Sequence, residues 1–290
     1  MGYLSVLISL VAGATKGFIG KRISGKVQSV RDSVFVNLLR MFFCLLISLL
    51  LLPFDGKGGF SLDGSALLFG CVAGIFLCIF TITWLLAVQN GAFMLISVAQ
   101  MFGVVVTLLC SFAVFREKVS LLQLVGIALL VAAVLVMGSY SKSIKGSLSL
   151  KAMILLVLCG LSSGLYDFSQ KLFTFYSESS ISTLNLLTYG VSVLVLGGVM
   201  LFPRKQEEGG RVTLKSIGFA ILMMSVCLFL NSYFKALATK YLTATQIYPI
   251  YQAGGLILGA LMSAAFFKER ITPRCFLGLG LAFAAILFLR

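Results

Sequence analysis

Asp167 is the side chain of this 290-residue sequence best placed to do chemistry, because it alone among the nine Asp and Glu residues falls well inside an apolar run, "LLVLCGLSSGLYDFSQKLF". A carboxylate held away from water is expensive and is retained for a purpose. Three purposes fit: it binds a cationic group of a ligand, it carries a coupling proton, or it makes a structural ion pair with Lys171, one helical turn on, or with Lys16. Three cations share this kind of setting. Arg40 lies in "NLLRMFF", where it attracts an anion or braces the structure; Lys16 and Lys235 fall toward the ends of their runs, from which a long side chain can snorkel to water. The amides Gln100 and Gln252, with Trp84, Tyr166, Asn231, Tyr233 and Tyr248, complete the candidates for a ligand site. There is no histidine, so proton chemistry at depth falls to carboxylates.

Other chemistries lack their residues. No His, Cys and Asp spacing suits a metal, no two carboxylates are paired within apolar runs, and no serine is flanked as a nucleophile elbow. That argues against an enzyme and leaves no catalytic residue, metal or cofactor to name. The seven cysteines lie in or at the edge of apolar runs, as small core residues do.

The elements that must carry these residues are membrane spans. Sixty per cent of the residues are hydrophobic and mean hydropathy is +1.08, against roughly 45–50% apolar residues in ordinary soluble domains. Only helices or closed barrels satisfy their own backbone in lipid, and about 20 apolar residues cross it. Ten candidate helices follow: 3–20, 33–52, 66–87, 92–114, 120–138, 151–172, 181–202, 214–236, 244–267 and 274–289. The first reads as a retained span, since no basic stretch precedes it and nine more apolar runs follow. Net charge is +14, and the basic residues sit mostly in loops, so they set topology and meet lipid headgroups rather than nucleic acid. Alternate loops hold 14 Lys and Arg on one side against 6 on the other, termini included. By the positive-inside rule both termini lie outside.

One phrase occurs twice. "FREKVS" at Phe115 returns as "FKERIT" at Phe267, and residues 92–137 laid over 244–289 match at 13 of 46 positions, among them Gln100 with Gln252 and Gly103 with Gly255. Weaker echoes are "NLL" at Asn37 and Asn185, a Pro closing the second helix of each half at Pro53 and Pro203, and the pairs Gly13/Gly17 and Gly160/Gly164; a rival register pairs Phe18 with Phe168 and Lys21 with Lys171. The chain therefore reads as two units, 1–140 and 146–290. Each has five helices, an odd number, so the copies enter the membrane from opposite sides as inverted repeats. The phrase has a local role as well: Ser120 with Gln123 reads as a capping box, Thr272 before Pro273 as N-cap and first helical position, and Glu117 and Glu269 suit the helix dipole. Gln100, Gly103 and Thr107 share one helix face and Tyr248, Gln252, Gly255 and Gly259 another, suited either to close packing or to a site shared by both halves.

Two five-helix halves, each ending in an "FxEK" or "FxER" phrase and a Gly-containing last helix, with "NLLRMFF" in helix two, resemble EamA-type members of the drug/metabolite transporter superfamily. The resemblance implies an all-α integral membrane protein of ten transmembrane helices in two inverted five-helix repeats, with a central cavity lined mainly by helices 1, 3, 4, 6, 8 and 9. It implies a carrier that moves a small metabolite or drug-like solute by alternating access, multi-pass in the plasma membrane; a flippase for a lipid-linked headgroup is the alternative. Its partners would be a small-molecule substrate and the bilayer, with no nucleic acid, and a monomer is compatible with the pattern. Relatives usually keep both termini in the cytoplasm, opposite to the charge count. The sequence departs from the family at Ala12-Gly13, where many members have Trp-Gly, and at Ser97, where helix four often carries the Pro that helix nine keeps as Pro249.

Overall fold

In the computed structural model, residues 1–27, 29–54, 62–89, 93–116, 120–142, 150–201, 214–267 and 273–289 are described. Their apolar runs fold as ten α-helices: α1 (Gly2–Ser24), α2 (Val30–Leu51), α3 (Gly64–Gln89), α4 (Phe93–Phe115), α5 (Leu121–Lys142), α6 (Leu150–Tyr176), α7 (Ile181–Leu201), α8 (Leu214–Ala238), α9 (Ala244–Phe267) and α10 (Pro273–Leu289). A 3-10 turn, Leu52–Phe54, follows α2 and contains Pro53, and no strand occurs among the described residues. Every run read from the sequence is one helix. By length and composition, α1, α3, α6, α7, α8 and α2 with its 3-10 turn are able to cross a membrane.

Polar side chains fix where several helices begin. Ser29 and Asp32 close a reciprocal capping box on α2, and the expected box at α5 is present: the Gln123 amide N–H donates to Ser120 Oγ and the Ser120 N–H to Gln123 Oε1, both at 3.2 Å. Pro273 opens α10, where its missing N–H costs nothing. Arg116, just past α4, takes a left-handed φ of 51°, a conformation that ends a helix. Glu117, Glu269, Thr272 and Pro203 lie outside the described residues.

The helices pair across the chain's two halves. α1 runs antiparallel to α8: Gly2 meets Leu242 just beyond α8, Ser9 bonds Asn231, and Gly20 lies under Trp84 and Met224. α3 runs antiparallel to α6, with Ser65 Oγ reaching the carbonyl of Tyr176 at 3.2 Å. Since α1 and α6 are the first helices of the two halves and α8 and α3 the third, these two pairings are counterparts. α2 with α7, α5 with α10 and α4 with α9 are each a helix against its own counterpart. The outer surface is apolar, with Leu4, Leu50, Phe112, Leu121, Leu194 and Phe219 exposed, while Asn37, Arg40, Gln170, Asn185 and Ser232 are buried. This is the distribution a lipid solvent selects, since apolar chains need no cover there and polar ones need partners.

Two equivalent seams differ. Where α4 meets α6 the backbones touch: a Cβ on Gly103 would lie 2.5 Å from the carbonyl oxygen of Gly160, one on Gly164 would lie 2.3 Å from that of Gly103, and Thr107 Oγ1 donates to the Gly164 carbonyl at 2.9 Å. The counterpart seam joins α9 to α1. There Gly255 and Gly259 stand where the first half has Gly103 and Thr107, and Gly17 where the second has Gly164. A Cβ on Gly17, Gly255 or Gly259 would meet nothing within 4 Å.

Candidate functional site

Asp167 on α6 is ion-paired with Lys235 on α8, the carboxylate 15% and the ammonium side chain 7% exposed. The rings of Tyr166 and Tyr251 flank Lys235 Nζ, each centroid 5.3 Å away, a distance at which an aromatic face attracts a cation. From α9, the Tyr248 hydroxyl donates to the backbone carbonyl of Asp167 at 2.7 Å, so three helices fix the pair. Two expectations are corrected here. Lys235 does not snorkel but turns inward, because a carboxylate waits at its own depth. The partner of Asp167 is neither Lys171 nor Lys16: the Lys171 ammonium lies 4.8 Å from the Phe115 ring on α4, and that of Lys16 lies 5.8 Å from the Phe80 ring on α3.

A second set of bonds ties α1 to this pair. Asn231 Nδ2 donates to the Ser9 carbonyl at 2.8 Å and to the Tyr251 hydroxyl at 2.6 Å, while Ser9 Oγ donates to the Asn231 carbonyl at 2.9 Å. Gly13 makes this possible. A Cβ there would fall 2.4 Å from Tyr251 Oη and 2.8 Å from Asn231 Nδ2, so only hydrogen fits. Lys16 follows Gly13 by three residues and shares its face. It lies in the field of Arg40, Lys235 and Asp167, and pairs with no carboxylate among the described residues.

Behind the ion pair is a hub at Ser232. It meets the Tyr166 hydroxyl at 2.8 Å, accepts from Gln170 Nε2 at 2.9 Å and donates to Asn185 Oδ1 at 2.8 Å. The other "NLL" asparagine, Asn37, accepts from Arg40 Nη1 at 2.7 Å and donates to the Thr81 carbonyl at 3.3 Å. Arg40 is 1% exposed, and its Nε, like Tyr189 Oη, Gln170 Oε1 and Asn185 Nδ2, has no hydrogen-bond partner among the described residues.

Of the residues named from sequence, Lys16, Tyr166, Asp167, Asn231 and Tyr248 therefore converge, joined by Lys235. Gln252 is buried on α9 and Gln100 half-buried on α4. Trp84 is buried against Gly20 in the largest apolar cluster, and Tyr233 stacks on Phe229 with centroids 5.8 Å apart. Sequence reasoning missed Ser9, Gln170 and Ser232 as members of the site. Gln170 carried a signal, an uncharged amide in an apolar run; a single Ser in a helix carries none, because Ser also bonds its own preceding turn.

At one end of the bundle Asp63 forms a clasp. Its Oδ1 accepts from Ser177 Oγ at 2.8 Å and Ser179 Oγ at 2.6 Å, both beyond α6, and its Oδ2 accepts from Ser65 Oγ. These donors favour the ionised form and lower the Asp63 pKa to about 2. The clasp joins the start of α3 to the α6–α7 turn, and Phe115 packs nearby on Phe175 with centroids 4.8 Å apart.

The sequence model of a family described as the EamA-like transporter family matches residues 1–139 and again 150–290. No curated protein matches the sequence. One solved structure, described only as the crystal structure of a protein, aligns over 99% of this chain and 94% of its own with a TM-score of 0.68 at 13% identity, which is a likeness of fold alone.

Proposed function

The chain belongs to the EamA-like transporter family, and from that premise we propose that it is a ten-span carrier of the plasma membrane that moves a small solute by alternating access between inverted halves, 1–140 and 146–290. The observation that carries this reading is the inequality of the two glycine seams. In two halves built alike, the α4–α6 seam is closed to backbone contact while Gly17, Gly255 and Gly259 at the α1–α9 seam have open space. Exchange of these two arrangements would expose a central site first to one side and then to the other. The Asp63 clasp and the Phe115 cluster lie on the closed side, so solute would enter from the face that carries loops 20–32 and 139–151.

In this reading Lys16, Tyr166, Asp167, Asn231, Tyr248 and Gln252 face the solute, and Asp167 is the candidate for a coupling proton. Arg40 and Gln100 approach from α2 and α4; Trp84 and Tyr233 support the walls. The test is distance measurement between spin labels on outward positions of each seam, Val11 with Leu261 and Leu109 with Val157. During transport in proteoliposomes the two distances are expected to change in opposite directions. Transport with both distances fixed would refute alternating access here, and movement of a lipid-linked headgroup but of no soluble solute would move the assignment to a flippase.

A further inference from the structure

Among the described residues Asp167 is the one carboxylate set among the helices, against the cations Arg40 and Lys235, both buried, and Lys16, half-buried. The other described acids are Asp32 in the first turn of α2, Asp63 just before α3 and Glu178 just after α6. Lys235 takes the Asp167 charge. Lys16 is left with the Phe80 ring, and Arg40 with the neutral Asn37 and an unpartnered Nε. Arg40 is buried and Lys16 half-buried, and Lys16 lies in the repulsive field of Arg40; a cation so placed without a counter-charge is unfavourable.

We propose that the missing counter-charge is the cargo: the transported solute is a small organic anion whose carboxylate or phosphate binds the Lys16 ammonium. This rests on the carrier reading and deepens it. Nothing lies within 4 Å of the Cβ position of Gly17, the residue that follows Lys16. A second donor stands on the same face of α1: the Tyr251 hydroxyl, touching Gly13, accepts from Asn231 and so keeps its own proton to give. Phe80 supplies an apolar wall for the carbon part of the ligand. Arg40 adds long-range attraction from α2 without contact.

The experiment uses the full chain in proteoliposomes and measures uptake of succinate, glutamate and inorganic phosphate against putrescine and glucose. Saturable uptake of at least one of the three anions is expected. Lys16→Gln should weaken it about 30-fold or more in KM, as loss of one partner of a buried charge pair does. Lys16→Arg, which keeps the charge, should restore most of it. Uptake of putrescine or glucose with no anion carried would leave the carrier reading standing and overturn the anion. Anion uptake unchanged in Lys16→Gln would overturn the assignment to Lys16, and chloride binding without anion transport would reduce the site to a counter-ion. No uptake of any of the five would overturn the carrier reading together with the proposal. Should Lys16→Gln fail to insert, the selectivity of the wild-type chain between the anions and putrescine decides.

Discussion

Removing the charge of Asp167 alone should be far more harmful than removing the whole ion pair. Asp167→Asn leaves Lys235 buried without its partner, a change that costs about 3–5 kcal/mol, whereas Asp167→Asn with Lys235→Met leaves no stranded charge and should recover much of that loss. Thermal unfolding of the three proteins in detergent checks it, and a double variant no more stable than Asp167→Asn would show that the pair is not a closed unit. Asp63 should respond to acid in a defined direction. Its folded value lies below that of an ordinary carboxyl, near 2, so the contribution of the clasp is complete above pH about 4 and is lost as the pH falls toward 2. Asp63→Asn should remove this acid dependence, which a midpoint-versus-pH series on both proteins would reveal. Asp167 could be read as the centre of the site from its type and setting alone. Its partner could not, because Lys235 is 68 residues away and near the end of a helix, where a lysine ordinarily reaches for water. Which of several inward cations meets a carboxylate is settled by how helices rotate against one another, and no local pattern records that.

At the scale of helices, the two seams give opposite responses to one added methyl group. Gly103→Ala would place Cβ 2.4 Å from Ser163 Oγ and 2.5 Å from the Gly160 carbonyl oxygen, a backbone atom that cannot step aside. It should cost about 1–3 kcal/mol as overpacking. Gly255→Ala meets nothing within 4 Å and should stay within about 0.5 kcal/mol of wild type. Thermal midpoints of the two variants make the comparison, and equal losses would mean that the seams do not differ. The helices themselves were legible, since long apolar runs admit one solution in lipid, and the capping box of Ser120 and Gln123 was legible because both partners are close in sequence. The glycines were legible as packing residues but not as unequal ones. Gly103 and Gly255 occupy matched positions, and what separates them is that the α6 backbone approaches the first while nothing lies within 4 Å of the Cβ position of the second. Trp84 was open to two readings, membrane-interface anchor or cavity wall; it is buried against Gly20, where the absence of a side chain makes room for the indole.

In the whole molecule the leading helix contacts join one half to the other, and this bears on how the protein is made. The recurrence of "FREKVS" as "FKERIT" announced two related units, yet repetition alone does not tell whether the units stand side by side or interlock. α1 with α8, α3 with α6, α2 with α7 and α5 with α10 show that they interlock. When the first half leaves the ribosome, its chief packing partners do not yet exist, and at roughly 5–20 residues per second they take on the order of 10 s to arrive. During that interval Arg40 and Lys16 reside in the bilayer without the surroundings that later enclose them. Residues 1–142 expressed alone should therefore be inserted but rapidly degraded, while the same segment expressed together with residues 143–290 should accumulate and co-purify with it, as pulse–chase labelling would show. A long-lived first half would mean that it is self-sufficient. The interlocked contacts thus make synthesis of the second half the step at which the quality-control machinery of the cell must distinguish an unfinished protein from a failed one.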